Sequence, residues 1–392
     1  MRRSWFIVIL FCLFGSSVAN VLGYNQLSSL ITASYSQPET SYVEVPDLVS
    51  REIIVEKLIE KPIEWPVASA HDASDDVAGH VANVSSIVPN DKYFDKQWAL
   101  TKIQAPEAWQ ITSGNQDILI AVLDTGIDPQ HEDLADKVVA NVNLTDSPTI
   151  DDRYGHGTHI AGIIAASANN SFGIAGMSPN CRLVNVKVAD DDGRCNSSVV
   201  ARGIVWAVDN GAKVINVSLT INEPTQALED AVNYAWNQGV VVIAASGNYV
   251  GNRPMYPACY SNCIAVGATD VNDSPALGSG YNDWVDVVAP GVDIYSTLPD
   301  SKYGIESGTS MATAYVSGLA GLLFTLVTDT NGNGRLNDEV RDMIETNCNE
   351  IGTLDVSKRR VDALRAVGQA LSLCPQSKLS EEPLQSGEEG VE

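Results

Sequence analysis

Three short motifs in this chain carry side chains capable of acyl chemistry: Asp124-Thr125-Gly126-Ile127-Asp128, Gly155-His156-Gly157-Thr158-His159 and Ser307-Gly308-Thr309-Ser310-Met311-Ala312-Thr313. A hydroxyl nucleophile needs a neighbouring base to take its proton. The base needs a carboxylate to fix its tautomer and stabilise its charged form. Ser310, His156 and Asp124 are the candidates for those roles. A fourth run, Ala244-Ala245-Ser246-Gly247-Asn248, ends on an amide side chain. With the backbone N–H of Ser310, Asn248 is a candidate donor to a developing oxyanion.

Each residue has a plainer reading when taken alone. Ser310 suits a helix N-cap, and Asp124 or Asn248 suits a turn that caps backbone N–H groups. Asp128 competes locally with Asp124 but lies beyond the tight Thr-Gly turn. A His156/His159 metal pair lacks a third ligand nearby. The combination of types favours the catalytic reading.

Apolar runs at 118–123, 183–188, 214–218, 240–245 and 263–266 predict short strands buried on both faces. Helical patterns at 156–168, 199–210 and 225–238 separate them. Strands alternating with helices predict an α/β fold, three layers α/β/α with a mainly parallel central sheet. Sites in such sheets gather at the carboxyl ends of strands. Asp124 and Asn248 each follow a predicted strand, while His156 and Ser310 open predicted helices.

The chain has 392 residues, 44% of them apolar, and a net charge of -25. That much negative charge argues against nucleic acid and anionic membranes as partners. Arg2-Arg3 followed by an apolar run and Ser17-Val18-Ala19 predicts a signal peptide over 1–19 and hence secretion. The run is too short to span a bilayer, and no membrane span is expected in the mature chain. The segment 376–392 is acidic and poor in core-forming residues, and a disordered tail over 375–392 is expected. Sequons stand at Asn83, Asn143, Asn169, Asn196, Asn216 and Asn272.

Of the seven cysteines, Cys12 leaves with the signal peptide. An even number in a secreted chain suggests disulfides. Cys259 with Cys263, and Cys348 with Cys374, are candidate pairs. Cys181 with Cys195 remains by elimination. A strand between those two would separate them by roughly 20 Å at about 3.3 Å per residue, so free thiols are the competing reading.

In chain order the three motifs supply Asp, His and Ser. As a set they resemble the subtilisin-like serine proteases, whose chain order is the same. The resemblance runs from about residue 88 to about 370. It implies a catalytic domain over 89–374 and a propeptide over 20–88 that acts as an intramolecular inhibitor. It implies peptide or protein substrates and an acyl-enzyme on Ser310. It places Ser218 and Leu219 along the substrate. It places Ala244, Ala245, Ser246, Gly247 and Met255 around the pocket for the residue before the cleaved bond. Those residues are small or apolar, so medium apolar side chains are expected there. The chain departs from the family at Thr220-Ile221, where glycines are usual, and at Ala314-Tyr315, where Pro-His is usual.

The same resemblance, to thermitase-like members of the family, implies calcium as cofactor. Its ligands would be Asp91, Asp133 and the side chain of Asn170, with the carbonyls of Ser167, Phe172 and Ile174. A second candidate comes from spacing. Asp329, Asn331 and Asn333 stand at positions 1, 3 and 5 of an EF-hand-like loop with Gly334 at 6. Position 12 is Val340, so the usual bidentate glutamate is missing, with Glu339 one residue early. Asn337 is open to a second reading, as N-cap of a helix over 338–346.

The expected activity is therefore a secreted serine endopeptidase. An esterase-like hydrolase is disfavoured because Gly308-Thr309-Ser310-Met311-Ala312 is not G-x-S-x-G. A catalytically inactive, calcium-bound recognition protein that keeps the fold is the alternative from another class.

Overall fold

The computed structural model describes residues 88–249, 253–280, 283–351 and 359–374. The expected signal peptide, all but the last residue of the expected propeptide, and the acidic tail lie outside them.

Strands β1 (Leu119–Asp124), β2 (Val138–Asn143), β3 (Arg182–Lys187), β4 (Val214–Val217), β5 (Val241–Ala245), β6 (Cys263–Thr269) and β7 (Val287–Pro290) pair in parallel. β8 (Ile294–Leu298) and β9 (Lys302–Glu306) form a separate antiparallel hairpin. β10 (Cys348–Glu350) and β11 (Arg359–Val361) extend the main sheet, with β10 its one antiparallel strand. The nine-stranded order is β10-β11-β7-β6-β5-β4-β1-β3-β2.

Alternate residues of each central strand enter different cores, which is why the strands read as continuous apolar runs. Ile120, Val122, Val241 and Ile243 face one side, with α1 (Trp98–Lys102), α2 (Ala105–Ala108) and α3 (His156–Ala165). Ala121, Leu123, Ile215 and Val242 face the other, under α4 (Ser197–Asp209) and α5 (Gln226–Asn237). The first side also holds α6 (Thr309–Leu323), α7 (Asn337–Thr346) and α8 (Ala363–Ser372). All 15 residues of α6 are buried. Its small and apolar composition on every side suits a helix enclosed by protein. The result is a three-layer α/β/α sandwich.

Asn196, Thr225 and Asp362 cap α4, α5 and α8, each accepting from a backbone N–H three residues on. Helix α3 stops at Ala165, not 168. Ala166 is extended, and Asn169 and Ser171 adopt positive φ, so the chain turns into a loop. Asn337 does not cap α7. It lies inside the helix, fully buried, and donates from Nδ2 to the Trp236 carbonyl at 3.0 Å.

The candidate disulfides are not formed: Cys181, Cys195, Cys259, Cys263, Cys348 and Cys374 are unpaired thiols. Cys181 is buried in one core and Cys195 packs against the other, so the sheet stands between them. Cys348 instead donates its thiol to the Ile344 carbonyl at 3.0 Å. Cys263 is buried in β6 beneath the α4/α5 layer. Among the described residues no helix is long and apolar enough to cross a membrane.

Candidate active site

Strand β1 ends on Asp124, which is buried at the carboxyl edge of the sheet. The chain turns through Thr125-Gly126, and α3 starts on His156. The two meet because Gly157 lacks a side chain. A Cβ there would stand 2.0 Å from the Gly126 carbonyl and 3.0 Å from the Asp124 side chain. His156 Nδ1 lies 2.8 Å from Asp124 Oδ1, which also accepts from the Thr125 N–H at 2.8 Å. With Nδ1–H donating to the carboxylate, Nε2 is left as the basic nitrogen.

Burial disfavours a charged imidazole at His156, but the charge and hydrogen bond of Asp124, aided by Glu306 and Asp152, more than offset it. The pKa is raised to about 9. His159 is different. Burial, with His156 adding repulsion, pushes its pKa down to about 3, and its Nε2 donates to the Ile294 carbonyl at 3.1 Å. It is a neutral, packed histidine. His131 is likewise engaged with backbone, at Lys302 and Asp133. Asp128 accepts from the Gln130 and Asp300 N–H groups and takes no part in the imidazole pair.

Ser310 is the second residue of α6 and is buried. Its hydroxyl donates to the Ser218 carbonyl at 3.1 Å, while the Ser218 hydroxyl donates to the Ser310 carbonyl at 3.0 Å. The exit of β4 is thereby clamped to the start of α6. Among the described residues no hydrogen bond joins Ser310 to His156.

Asn248 follows β5. Its Oδ1 accepts from the Thr309 N–H at 2.8 Å and the Thr309 hydroxyl at 3.1 Å. With the oxygen held, Nδ2 points away from Thr309 as a donor. Gly308 makes room for it, since a Cβ there would meet Nδ2 at 2.9 Å. The structure therefore presents an amide N–H donor immediately beside the start of the Ser310 helix.

The pocket candidates lie together. Gly247 N–H donates to Thr309 Oγ1 at 3.1 Å, and buried Met255 would stand 3.0 Å from a Cβ on Gly247. Ala244 and Ala245 are buried in β5, and Ser246 is buried with its hydroxyl unpartnered. Leu219 packs at the edge of the α4/α5 core. Ile221 and Tyr256 exchange both backbone hydrogen bonds, at 2.8 and 2.9 Å, so the segment after Leu219 is tied to the segment carrying Met255.

Several positioning residues went unnoticed in the sequence. Asp152 Oδ1 accepts from Thr125 Oγ1 and Gly155 N–H, and its Oδ2 from the N–H and hydroxyl of Thr158, all at 2.7–2.8 Å. It ties the Asp124 turn to the His156 helix. Fully buried Lys187, opposite Asp124 in register, donates to the carbonyls of Thr125 and Asp151 and to Asp191. Thr309 fixes Gly247 and Asn248 together. Only Thr309 had a local signal, its place directly before Ser310.

The residues of the first calcium candidate converge away from this site. Asp91 and Asp133 are both buried. Asp91 accepts from the N–H groups of Asn169 and Asn170 at 2.9 and 3.3 Å. Asp133 accepts from Asn170 Nδ2, the Ile174 N–H and the Tyr303 hydroxyl at 3.0, 2.9 and 2.9 Å. Ser167 N–H donates to the Asp133 carbonyl, and the Phe172 carbonyl accepts from Lys92 N–H. Among the described residues no three His, Cys, Asp or Glu side chains converge as a metal cage. A cation here would rest on carboxylates, an amide and carbonyls, a donor set that suits a hard ion.

A parallel α/β sandwich with a carboxylate–imidazole pair and a serine at the start of a buried helix defines a serine hydrolase class. A subtilase-family model matches residues 115–364. The chain is 47% identical over 283 residues to thermitase from Thermoactinomyces vulgaris, across 71% of this chain and 99% of that protein. It is 46% identical over 226 residues to subtilisin BL from Lederbergia lenta, across 58% of this chain and 83% of that protein. A solved protease from Pseudoalteromonas arctica superposes with a TM-score of 0.66 at 28% identity, covering 72% of this chain and all of that one. The chain belongs to the subtilase family and is a serine endopeptidase, and its substrates are peptides.

Proposed function

We propose that Ser310 is the nucleophile, His156 the general base and acid, Asp124 the orienting carboxylate and Asn248 the oxyanion donor of this endopeptidase. The observation that carries the reading is the 2.8 Å Asp124–His156 contact, which leaves Nε2 as the proton acceptor. Ser310 Oγ adds to the scissile carbonyl carbon as its proton passes to Nε2. The carbonyl oxygen gains negative charge and is met by Asn248 Nδ2 and the Ser310 N–H. Collapse breaks the C–N bond, and His156 returns the proton to the leaving amine. Water then repeats the sequence on the acyl-Ser310 ester and releases the acid.

The paired edges at 218–221 and 255–256 support a cleft wall, with Met255 at the base of the pocket for the residue before the cleaved bond. The arrangement at Asp91 and Asp133 supports a calcium ion bound by these two carboxylates, Asn170 and the carbonyls of Ser167, Phe172 and Ile174. Bound there, the ion would cross-link the residue 90 segment to the 167–174 loop and neutralise two buried carboxylates. The sequence pattern at 1–19 supports secretion. The same reading assigns 20–88 to an inhibitory propeptide, 89–374 to the catalytic domain and 375–392 to an acidic tail.

Covalent labelling by a fluorophosphonate tests the nucleophile. A single adduct at Ser310, lost on prior inactivation, is expected. An adduct elsewhere, or none in a preparation that cleaves peptides, overturns the assignment.

A further inference from the structure

The loop between α6 and α7 ends at a carboxylate cluster remote in sequence from both sites above. Asp329 accepts the N–H groups of Gly332, Asn333 and Gly334 at 2.7, 3.2 and 2.8 Å, which curls the loop around it. The side-chain amides of Asn331 and Asn333 both reach Asp338 Oδ2 at 2.6 Å. Thr330 donates to Glu339 Oε1 from its N–H at 2.9 Å and its hydroxyl at 3.0 Å.

The remaining oxygens of the two acids are what need explaining. Glu339 is only 7% exposed, and its Oε2 has no hydrogen-bond partner. Asp338 Oδ1 is also buried without one. Both line a cavity of about 230 Å³ together with Thr330, Asn331 and Asp342. No lysine, arginine or histidine is among the residues lining it. A buried carboxylate without a counter-charge is strongly disfavoured, and a like-charged neighbour makes it worse. Position 12 of the loop, where a bidentate acid is usual, is Val340, which is fully buried in the core and cannot serve. Asp338 and Glu339, just before it, supply carboxylate oxygens on the side facing the loop. A half-turn of either asparagine amide replaces its N–H₂ with a carbonyl oxygen aimed at the same place.

We propose that this cavity binds one calcium ion through Asp338 and Glu339, with Asn331 and Asn333 closing over it and Asp329 holding the loop in shape. A hard divalent cation fits an all-oxygen donor set of carboxylates and amides. The irregular arrangement suits calcium better than magnesium, which demands near-octahedral geometry. The rival occupant is a proton shared between the two acids. The proposal depends on neither the catalytic residues nor the site at Asp91 and Asp133.

The test is equilibrium dialysis of the full chain carrying Ser310→Ala, which prevents self-digestion, against radioactive calcium. Glu339→Gln with Asp338→Asn is expected to remove one bound equivalent. Asp133→Asn is expected to leave that equivalent in place. Because Glu339 is buried, the exposed pair Asn331→Ala with Asn333→Ala serves as a variant that leaves the core alone. It is expected to weaken this equivalent at least about tenfold. Terbium provides an independent readout, since α5 carries Trp236, whose carbonyl is hydrogen-bonded to Asn337. Its sensitised emission should be lost in the same variants. Unchanged calcium stoichiometry and affinity in both the acid pair and the asparagine pair would overturn the proposal in favour of a shared proton.

Discussion

Asp124 and Asp133 are both buried aspartates, yet they stand in opposite kinds of surroundings. Asp124 holds an imidazole by one oxygen, and its other oxygen is buried without a partner. Asp133 is surrounded by an amide and a backbone N–H from the 167–174 loop and by a phenol from β9. The first carboxylate contacts a group that titrates, so its charge is felt in the basicity of the imidazole. The second acts on groups that do not titrate near neutral pH, so its charge is felt in how segments are held. Burial alone does not decide what a carboxylate does. The partner does.

If that contrast is right, the active site can be emptied of activity without loosening the region around Asp91 and Asp133. Ser310→Ala should lower turnover by about 10⁶, a scale taken from subtilisin, a member of the same family. Its unfolding midpoint should stay close to that of the parent. Residual peptide turnover near the parental rate would remove Ser310 from the mechanism. Asn248→Ala comes next, with kcat reduced roughly 10²–10³-fold and KM little changed. That figure is also taken from the matching subtilisin residue. A rise in KM at constant kcat would instead make Asn248 a substrate-binding group.

The pocket should discriminate more modestly, since a methylene or two in an apolar pocket changes rates by only about 10–200-fold. Leu, Met or Ala before the cleaved bond should be enriched in a peptide library. Glu223 is an acid close to this wall, and it is already paired with Arg253 at 2.5 Å on the surface. Dominant cleavage after Lys or Arg would mean that this pair opens and Met255 does not form the pocket base.

The region around Asp91 and Asp133, the proposed calcium site, should show the reverse pattern. A ligand that binds only the folded state stabilises it by about 2.7 kcal/mol at a hundredfold excess over its Kd. Chelation should therefore lower the unfolding midpoint by several degrees while the initial rate at low temperature changes little. Asp133→Asn should shrink that response. A midpoint indifferent to chelator in the parent chain would sink the first calcium site.

How much of this was visible in the sequence depended on how each part is built. The central strands were legible because burial on both faces leaves an unbroken apolar run, as in Leu119–Asp124. β2 was not, since Val138–Asn143 carries exposed and polar residues at the edge of the sheet. The β8/β9 hairpin also went unseen. Its work is polar, with Ser296 and Thr297 donating to the carbonyls of His159 and Thr158 on α3. The motifs announced Asp124, His156 and Ser310 through glycine-rich turns. Asp152 and Lys187 act through backbone groups that only the fold brings near them, and no spacing rule points to those. The cysteines misled because an even count says nothing about which face of the sheet each thiol enters.

The smallest expected effect bears on the other side of the opening contrast, the charge around His156. The base must be neutral to accept a proton, and its pKa is raised to about 9. Activity should therefore fall as pH falls through that value, an acid limb well above the 6.5 of a free imidazole. Stability runs the other way. A group whose pKa is raised on folding adds stability that is fully present below 6.5 and is lost as pH rises through about 9. Glu306 is half-buried at the end of β9 and contributes to the rise through its negative charge, while burial lifts its own pKa. Glu306→Gln removes that charge and leaves the Asp124 hydrogen bond intact. The acid limb of kcat/KM should move to lower pH, by less than Asp124→Asn would move it. Asp124→Asn should also cost turnover, because an amide does not enforce the Nδ1–H tautomer. A pH profile identical in the parent and Glu306→Gln would show that Glu306 is screened from the imidazole and that Asp124 alone sets its basicity.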